Sequence, residues 1–239
     1  MSFGLSIESL DQRILLDESH PGMFFKGKYT TNSTNGLKTV TITDCNTMPI
    51  VFAKNLGSGI KISTPQITYN GGTSWTIGAF AIIEGNEPQQ PYAGSVELYV
   101  FDILGSSDTV NSGYGMNVYD GSGQAIFTTN KKLLKISGYH TTQQVFTSGG
   151  SSNQVAIQTI TSGTIPITCA ICCSAIGSSL VPGPGSSFFF THGVRRYDSS
   201  SIKIGTCGYL GSSGPNVAGV ENRLSGNQHL MFIDHQLYD

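Results

Sequence analysis

Charge is what this chain holds least of. Asp, Glu, Lys and Arg make up 12% of its 239 residues, 13 basic against 15 acidic, for a net of −2. The cations are scattered, with Lys131-Lys132 and Arg195-Arg196 the only adjacent pairs. A nucleic acid needs a concentrated positive field, so DNA or RNA is excluded as the main partner. Long apolar runs are missing too. None approaches the roughly 18 residues of a membrane helix, and no membrane insertion is expected. Helical periodicity is nearly absent, because every window of about a dozen residues is broken by Gly, Pro or β-branched runs. At the start, Met1-Ser2-Phe3-Gly4-Leu5 leads straight into a strand pattern, without the basic, apolar and small-residue regions of a secretory signal. The expectation is a protein made in the cytosol and not processed at its N-terminus.

Catalytic spacing is equally scarce. Gly211-Ser212-Ser213-Gly214 and Gly121-Ser122-Gly123 come nearest to a nucleophile elbow but lack the Gly-x-Ser-x-Gly spacing. No Gly-rich run leads into Lys-Ser/Thr, which removes a phosphate cradle. Glu84, Glu87 and Glu97 lie close in sequence, as neighbours must in a chain with 15 acids. His20, His140, His192, His229 and His235 never fall at metal-ligand spacing. Neither an enzyme nor a cofactor or metal is expected. Five cysteines remain: Cys45, Cys169, Cys172, Cys173 and Cys207. On a strand, Cys169, Ile171 and Cys173 face one side and Ala170 and Cys172 the other, which opposes a shared metal site. They read as small core residues, with a disulfide from Cys207 to Cys169, Cys172 or Cys173 as the alternative.

Strands and turns are what the chain does contain. Val40 and Ile42 alternate with Thr39, Thr41 and Thr43; Val96, Leu98 and Val100 alternate with Glu97, Tyr99 and Phe101; Leu230 and Phe232 alternate with Met231 and Ile233. Asn35-Gly36, Asn70-Gly71-Gly72 and Asp120-Gly121-Ser122-Gly123 supply residues that tolerate positive φ in tight turns. Short strands with such punctuation, among 30 Gly, indicate an all-β fold of sandwich type. Tyr29, Tyr69, Trp75, Tyr92, Tyr197 and Tyr209 sit beside polar turns, where a ring could stack on a sugar or serve as ordinary sandwich rim. Trp75, Tyr92, Tyr197 and Tyr209 are the candidate ligand or receptor contacts.

A unit occurs twice. Phe3-Gly4-Leu5 through Asp17 has a degenerate copy at Tyr114-Gly115-Met116 through Thr128, 111 residues on. Phe25 and Gly27 fall on Ile136 and Gly138; Met48-Pro49-Ile50 falls on Ile165-Pro166-Ile167; Leu98 to Asp102 falls on Leu230 to Asp234. The expected organisation is two tandem β-sandwich-like domains, 1–105 and 114–239, joined by a short polar linker, 106–113, with Val110 as its only apolar anchor. The second copy has the longer loops, so the first is expected to dock and the second to face outward.

The stretches Phe3-Gly4-Leu5 with Asp17, and Tyr114-Gly115-Met116-Asn117-Val118-Tyr119-Asp120-Gly121-Ser122-Gly123-Gln124-Ala125-Ile126-Phe127, resemble the start of small β-rich tail proteins of tailed bacteriophages. The first copy departs from that pattern at Leu10-Asp11, and the second ends in Thr128 where Asp is usual. The resemblance implies a structural component of the virion, in the distal tail, baseplate or fibre. It would be assembled in the host cytoplasm as a homo-oligomer with other tail proteins, and would contribute to attachment through a bacterial surface glycan or protein. The alternative is a free-standing carbohydrate-binding module or adhesin.

Overall fold

The computed structural model describes residues 4–8, 13–17, 22–57, 59–83, 90–105, 108–109, 114–143, 158–161, 165, 167–172, 178–183, 186–196, 198–199, 201–213, 221–222 and 227–239. The fold is all-β and antiparallel. In the first half the strands are β1 (Gly4–Glu8), β2 (Arg13–Asp17), β3 (Phe24–Thr30), β4 (Lys38–Ile42), β5 (Ile50–Lys54), β6 (Ile60–Gly71), β7 (Ser74–Ile83), β8 (Gln90–Pro91) and β9 (Glu97–Asp102). The second half continues with β10 (Asn117–Tyr119), β11 (Ala125–Thr128), β12 (Gly138–Gln143), β13 (Gln158–Thr161), β14 (Cys169–Ile171), β15 (Ser178–Gly183), β16 (Ser186–Arg196), β17 (Ser201–Ser213), β18 (Glu221–Asn222) and β19 (Asn227–Asp234). A 3-10 turn, His235–Leu237, follows.

Both large sheets draw strands from both halves. One has the order β12-β19-β14-β5-β9-β3 and the other β13-β17-β16-β6-β7-β4, with β15, β18 and β8 as side branches. The segments 1–105 and 114–239, expected as tandem sandwiches, therefore share their sheets. The joints are β5 to β14, where Lys54 faces Ala170 and Ala53 faces Ile171, and β6 to β16 at Ile62 and Val194. Composition explains the first joint. Ile50-Val51-Phe52-Ala53 and Cys169-Ala170-Ile171 are apolar at every position, so each strand is stable only where both its faces are covered, in mid-sheet.

Each sheet reads the same from either end, with β3, β9 and β5 standing where β12, β19 and β14 stand, and β4, β7 and β6 where β13, β17 and β16 stand. Register repeats as well: Gly27 lies opposite Val100, and Gly138 opposite Phe232. The middle match shifts. Ile50 faces Phe101 while Ala170 faces Ile233, so the counterpart of Ile50 is Ala170, three residues beyond the expected Ile167. Ile167 is 79% exposed and precedes β14, so the shared Pro-Ile wording is not a shared strand position.

Alternation along the central strands splits the core in two. Val51, Ala53, Leu98, Val100, Cys169, Ile171, Leu230 and Phe232 pack against Ile42, Ile62, Ile77, Val194 and Ile202 of the facing sheet. Phe52, Tyr99, Phe101, Ala170, Cys172 and Ile233 form a second cluster on the other face, with Phe25, Leu134 and Tyr238. That face is closed partly by curvature. Phe25 N–H donates to Lys132 O at 2.8 Å and Leu134 N–H to Met23 O at 2.7 Å. Residues 132–134 lead towards β12, so chain from one edge of the six-stranded sheet pairs with the other edge. The C-terminal turn adds Tyr238, whose ring lies 4.9 Å from Phe101 and 5.2 Å from Phe25.

Candidate functional site

Of the four aromatic candidates, the two whose side chains are described, Trp75 and Tyr92, lie apart. Trp75, half-buried near the start of β7, donates Nε1–H to Cys45 O at 3.3 Å and lies 5.0 Å from the ring of Tyr69. Tyr69 is 58% exposed at the β6–β7 tip, where Gly71 (φ 109°) and Gly72 (φ 61°) make the expected turn. Tyr92 is held alongside the other end of β7, its N–H donating to Ala81 O, about 20 Å from Trp75 at the rise of a strand. Its ring has two close neighbours: Lys38 Nζ sits 5.8 Å from the ring centre, and a Cβ on Gly94 would lie 2.4 Å from the ring. Lys38 is itself buried, its amine pulled down by burial and donating to Thr34 O. Tyr209 lies on β17, opposite Phe190 of β16, and Tyr197 lies outside the described residues.

A site that no aromatic pattern marks lies where the two halves meet. After β9 the chain enters the polar linker, and its anchor is Asp108; Val110 lies outside the described residues. Asp108 is 2% exposed. Its Oδ2 accepts from Lys26 Nζ of β3 at 2.7 Å and from Gly105 N–H at 2.8 Å, and its Oδ1 lies 3.2 Å from Lys131 Nζ of the second half. Burial pushes the Asp108 carboxyl up, but the bonds from Lys26 and Gly105 outweigh it and hold it below the usual carboxylate range. Burial pulls the Lys26 amine down, and the bond and charge of Asp108 more than reverse this, leaving it raised. A buried acid with three donors cannot be moved cheaply, so Asp108 holds Gly105 and Thr109 as a fixed wall.

The opposite wall is the turn of the hairpin β10–β11. Asp120 Oδ1 accepts from Ser122 Oγ at 2.7 Å, Ser122 N at 2.9 Å and Gln124 N at 2.9 Å, which holds its carboxyl below the usual range, the Ser122 hydroxyl contributing most. Gly123 closes the turn at φ 86°, a conformation that favours glycine. The pairing shifts register between Val118 and Tyr119, where Phe127 and Ala125 are their partners and Ile126 is the extra residue on β11. The hairpin is seated on the first half through Ala125 and Phe127, which pack with Phe24, Leu104 and Leu133.

Between these walls runs a groove of about 660 Å³, within the range of small-molecule sites. Gly105, Thr109 and Asn46 line one side, Tyr119 and Ser122 to Gln124 the other, and Ile103, Leu104 and Ala125 the floor. None of the lining side chains is charged. Asn46 and Gln124 are exposed, and their side-chain amides make no hydrogen bond among the described residues. A Cβ on Gly105 would lie 2.7 Å from Asn46 Nδ2, so glycine leaves that amide its place.

Other polar clusters among the described residues are occupied. Asp102 takes Asn46 N–H and the Thr47 hydroxyl, and Asp234 takes the Thr168 hydroxyl. Asp239 accepts from Lys28 Nζ at 2.8 Å and Tyr99 Oη at 2.9 Å, with His235 Nδ1 at 3.0 Å. These bonds, that of Lys28 first, hold the Asp239 carboxyl well below its usual range. Cys45, Cys169 and Cys172 are free and buried, and burial pushes the thiols of Cys45 and Cys169 up to about 11. Among the described residues no group of three His, Cys, Asp or Glu converges as a metal site would, and no helix is long and apolar enough to cross a membrane. Set against protein-family models, curated proteins and solved structures, the chain matches none of them.

Proposed function

We propose that the chain is a structural component of a bacteriophage tail, in the distal tail, baseplate or fibre, built as a homo-oligomer with other tail proteins and contributing to host attachment without catalysis of its own. The observation that carries this reading is the hairpin β10–β11. It holds the stretch from Tyr114 to Phe127 that resembles tail proteins, and it is locked onto the first half by Ala125 and Phe127. The mirrored strand order supports an internal duplication whose halves have fused. Such a body suits a part under load, because parting the halves would break strand pairs in both sheets. Negative-stain microscopy of purified particles with a gold-labelled antibody against the chain tests the proposal. Gold at the tail is expected, and a tail without gold overturns it.

A free-standing glycan-binding module is the second reading, and the Tyr69–Trp75 pair at the β6–β7 tip favours it. A glycan array probed with the isolated chain separates the two. Binding abolished in Trp75→Ala, by a protein never incorporated in particles, selects the module.

A further inference from the structure

We propose that the groove between the linker and the β10–β11 turn binds a neutral saccharide, and that Tyr119 is its stacking platform. Chemistry selects the ligand class. The lining has an apolar floor of Leu104 and Ala125, a ring 46% exposed at Tyr119, two amides with spare donors and acceptors at Asn46 and Gln124, and no charge. An anion would find no cation on the walls, since Lys26 and Lys131 are both turned to Asp108. A purely apolar ligand would strand the amides. A sugar ring matches both halves of the lining, with hydroxyls at its edge and an apolar C–H face for the aromatic.

Preorganisation is the second argument. Asp108 fixes one wall and Asp120 the other, each through several hydrogen bonds. Neither wall needs ordering on binding, which removes a main penalty of association. Tyr119 Oη accepts from Asn117 Nδ2 at 3.2 Å, a contact that holds the ring. The sequence could not single this tyrosine out, because Asn46, Gly105 and Thr109, which line the groove with it, are distant or separated from it along the chain.

The inference deepens the attachment part of the tail reading and rests on it for the source of the glycan, but the two fail separately: gold labelling reads location, and titration reads binding. The test follows backbone amides by NMR as the full chain is titrated with neutral trisaccharides of glucose, galactose, mannose and N-acetylglucosamine, and with sialyllactose as an anionic arm. The expected result is saturable shifts at Gly105, Ser122, Gly123 and Gln124 with at least one neutral sugar. Tyr119→Ala should weaken it at least about tenfold. Gly105→Ala, which displaces the Asn46 amide, should weaken it several-fold, and Tyr114→Ala, a fully exposed ring outside the groove, should leave it unchanged. The proposal is overturned if no neutral sugar moves those amides, if sialyllactose binds more tightly than all of them, or if Tyr119→Ala binds as the parent does.

Discussion

The chain leaves β9 and β19 in the same way and then diverges. Asp102 and Asp234 close the two strands, and each carboxylate accepts a threonine hydroxyl from the loop before a central strand, Thr47 before β5 and Thr168 before β14. Beyond them, each exit is tied by a second aspartate to a lysine of β3. On the first exit Asp108 meets Lys26 with side chains 3% and 4% exposed; on the second Asp239 meets Lys28 with 36% and 41%. The same pairing of charges thus does two jobs. Giving up the buried pair would leave Lys26 only the exposed Asp44, 3.5 Å away, so the pair fixes Asp108 and the wall of the groove beside it. The solvated pair is screened, and the second exit is held instead by Tyr238, whose hydroxyl donates to Leu133 O at 3.1 Å and accepts from Lys135 N–H at 2.8 Å.

Removing the buried partner should break the comparison most visibly. Asp108→Ala leaves the Gly105 N–H without its acceptor and Lys26 with only the exposed Asp44 at 3.5 Å, and should cost about 3–5 kcal/mol in urea unfolding; a loss near zero would mean that Asp108 is not an anchor. Acid should do part of the same. Because the folded-state carboxyl of Asp108 is depressed, its stabilisation is present above its unfolded value near 4 and is lost as pH falls through the folded one. Melting temperature should therefore drop below about pH 4, and the drop should shrink in Asp108→Asn more than in Asp239→Asn. On the second exit Tyr238→Phe removes two hydrogen bonds and keeps the ring, for a loss of about 1–2 kcal/mol by the same unfolding measurement. Asp239→Asn should move the melting temperature least, by no more than about 3 °C, as expected of a solvated pair. A larger shift there would erase the contrast.

Face assignments were readable from residue order alone. The alternation placing Cys169 and Ile171 on one side and Ala170 and Cys172 on the other is the division between the two cores. So were the turns at 70–72 and 120–123, where Gly71, Gly72 and Gly123 have positive φ, although Gly36 does not. Pairing partners were not readable. A strand such as Ile50-Val51-Phe52-Ala53 demands cover on both faces, but its composition does not say which half supplies the neighbour. Asp108 was hidden for a related reason: a polar loop residue looks solvated until Lys26 and Lys131, distant in sequence, are brought to it. Trp75 and Tyr92 stood out as aromatics near turns, yet what surrounds each ring, Tyr69 in one case and Lys38 with Gly94 in the other, is set by cross-strand packing.

Fusion of the halves through both sheets is the claim on which the linker, the groove and the tail reading depend, and scanning calorimetry tests it most directly. For 239 residues melting as one unit, the total enthalpy should be about 170 kcal/mol near 60 °C, and the van't Hoff enthalpy should equal it. Two resolved transitions, each with about half that enthalpy, would contradict it and return the molecule to two independent sandwiches.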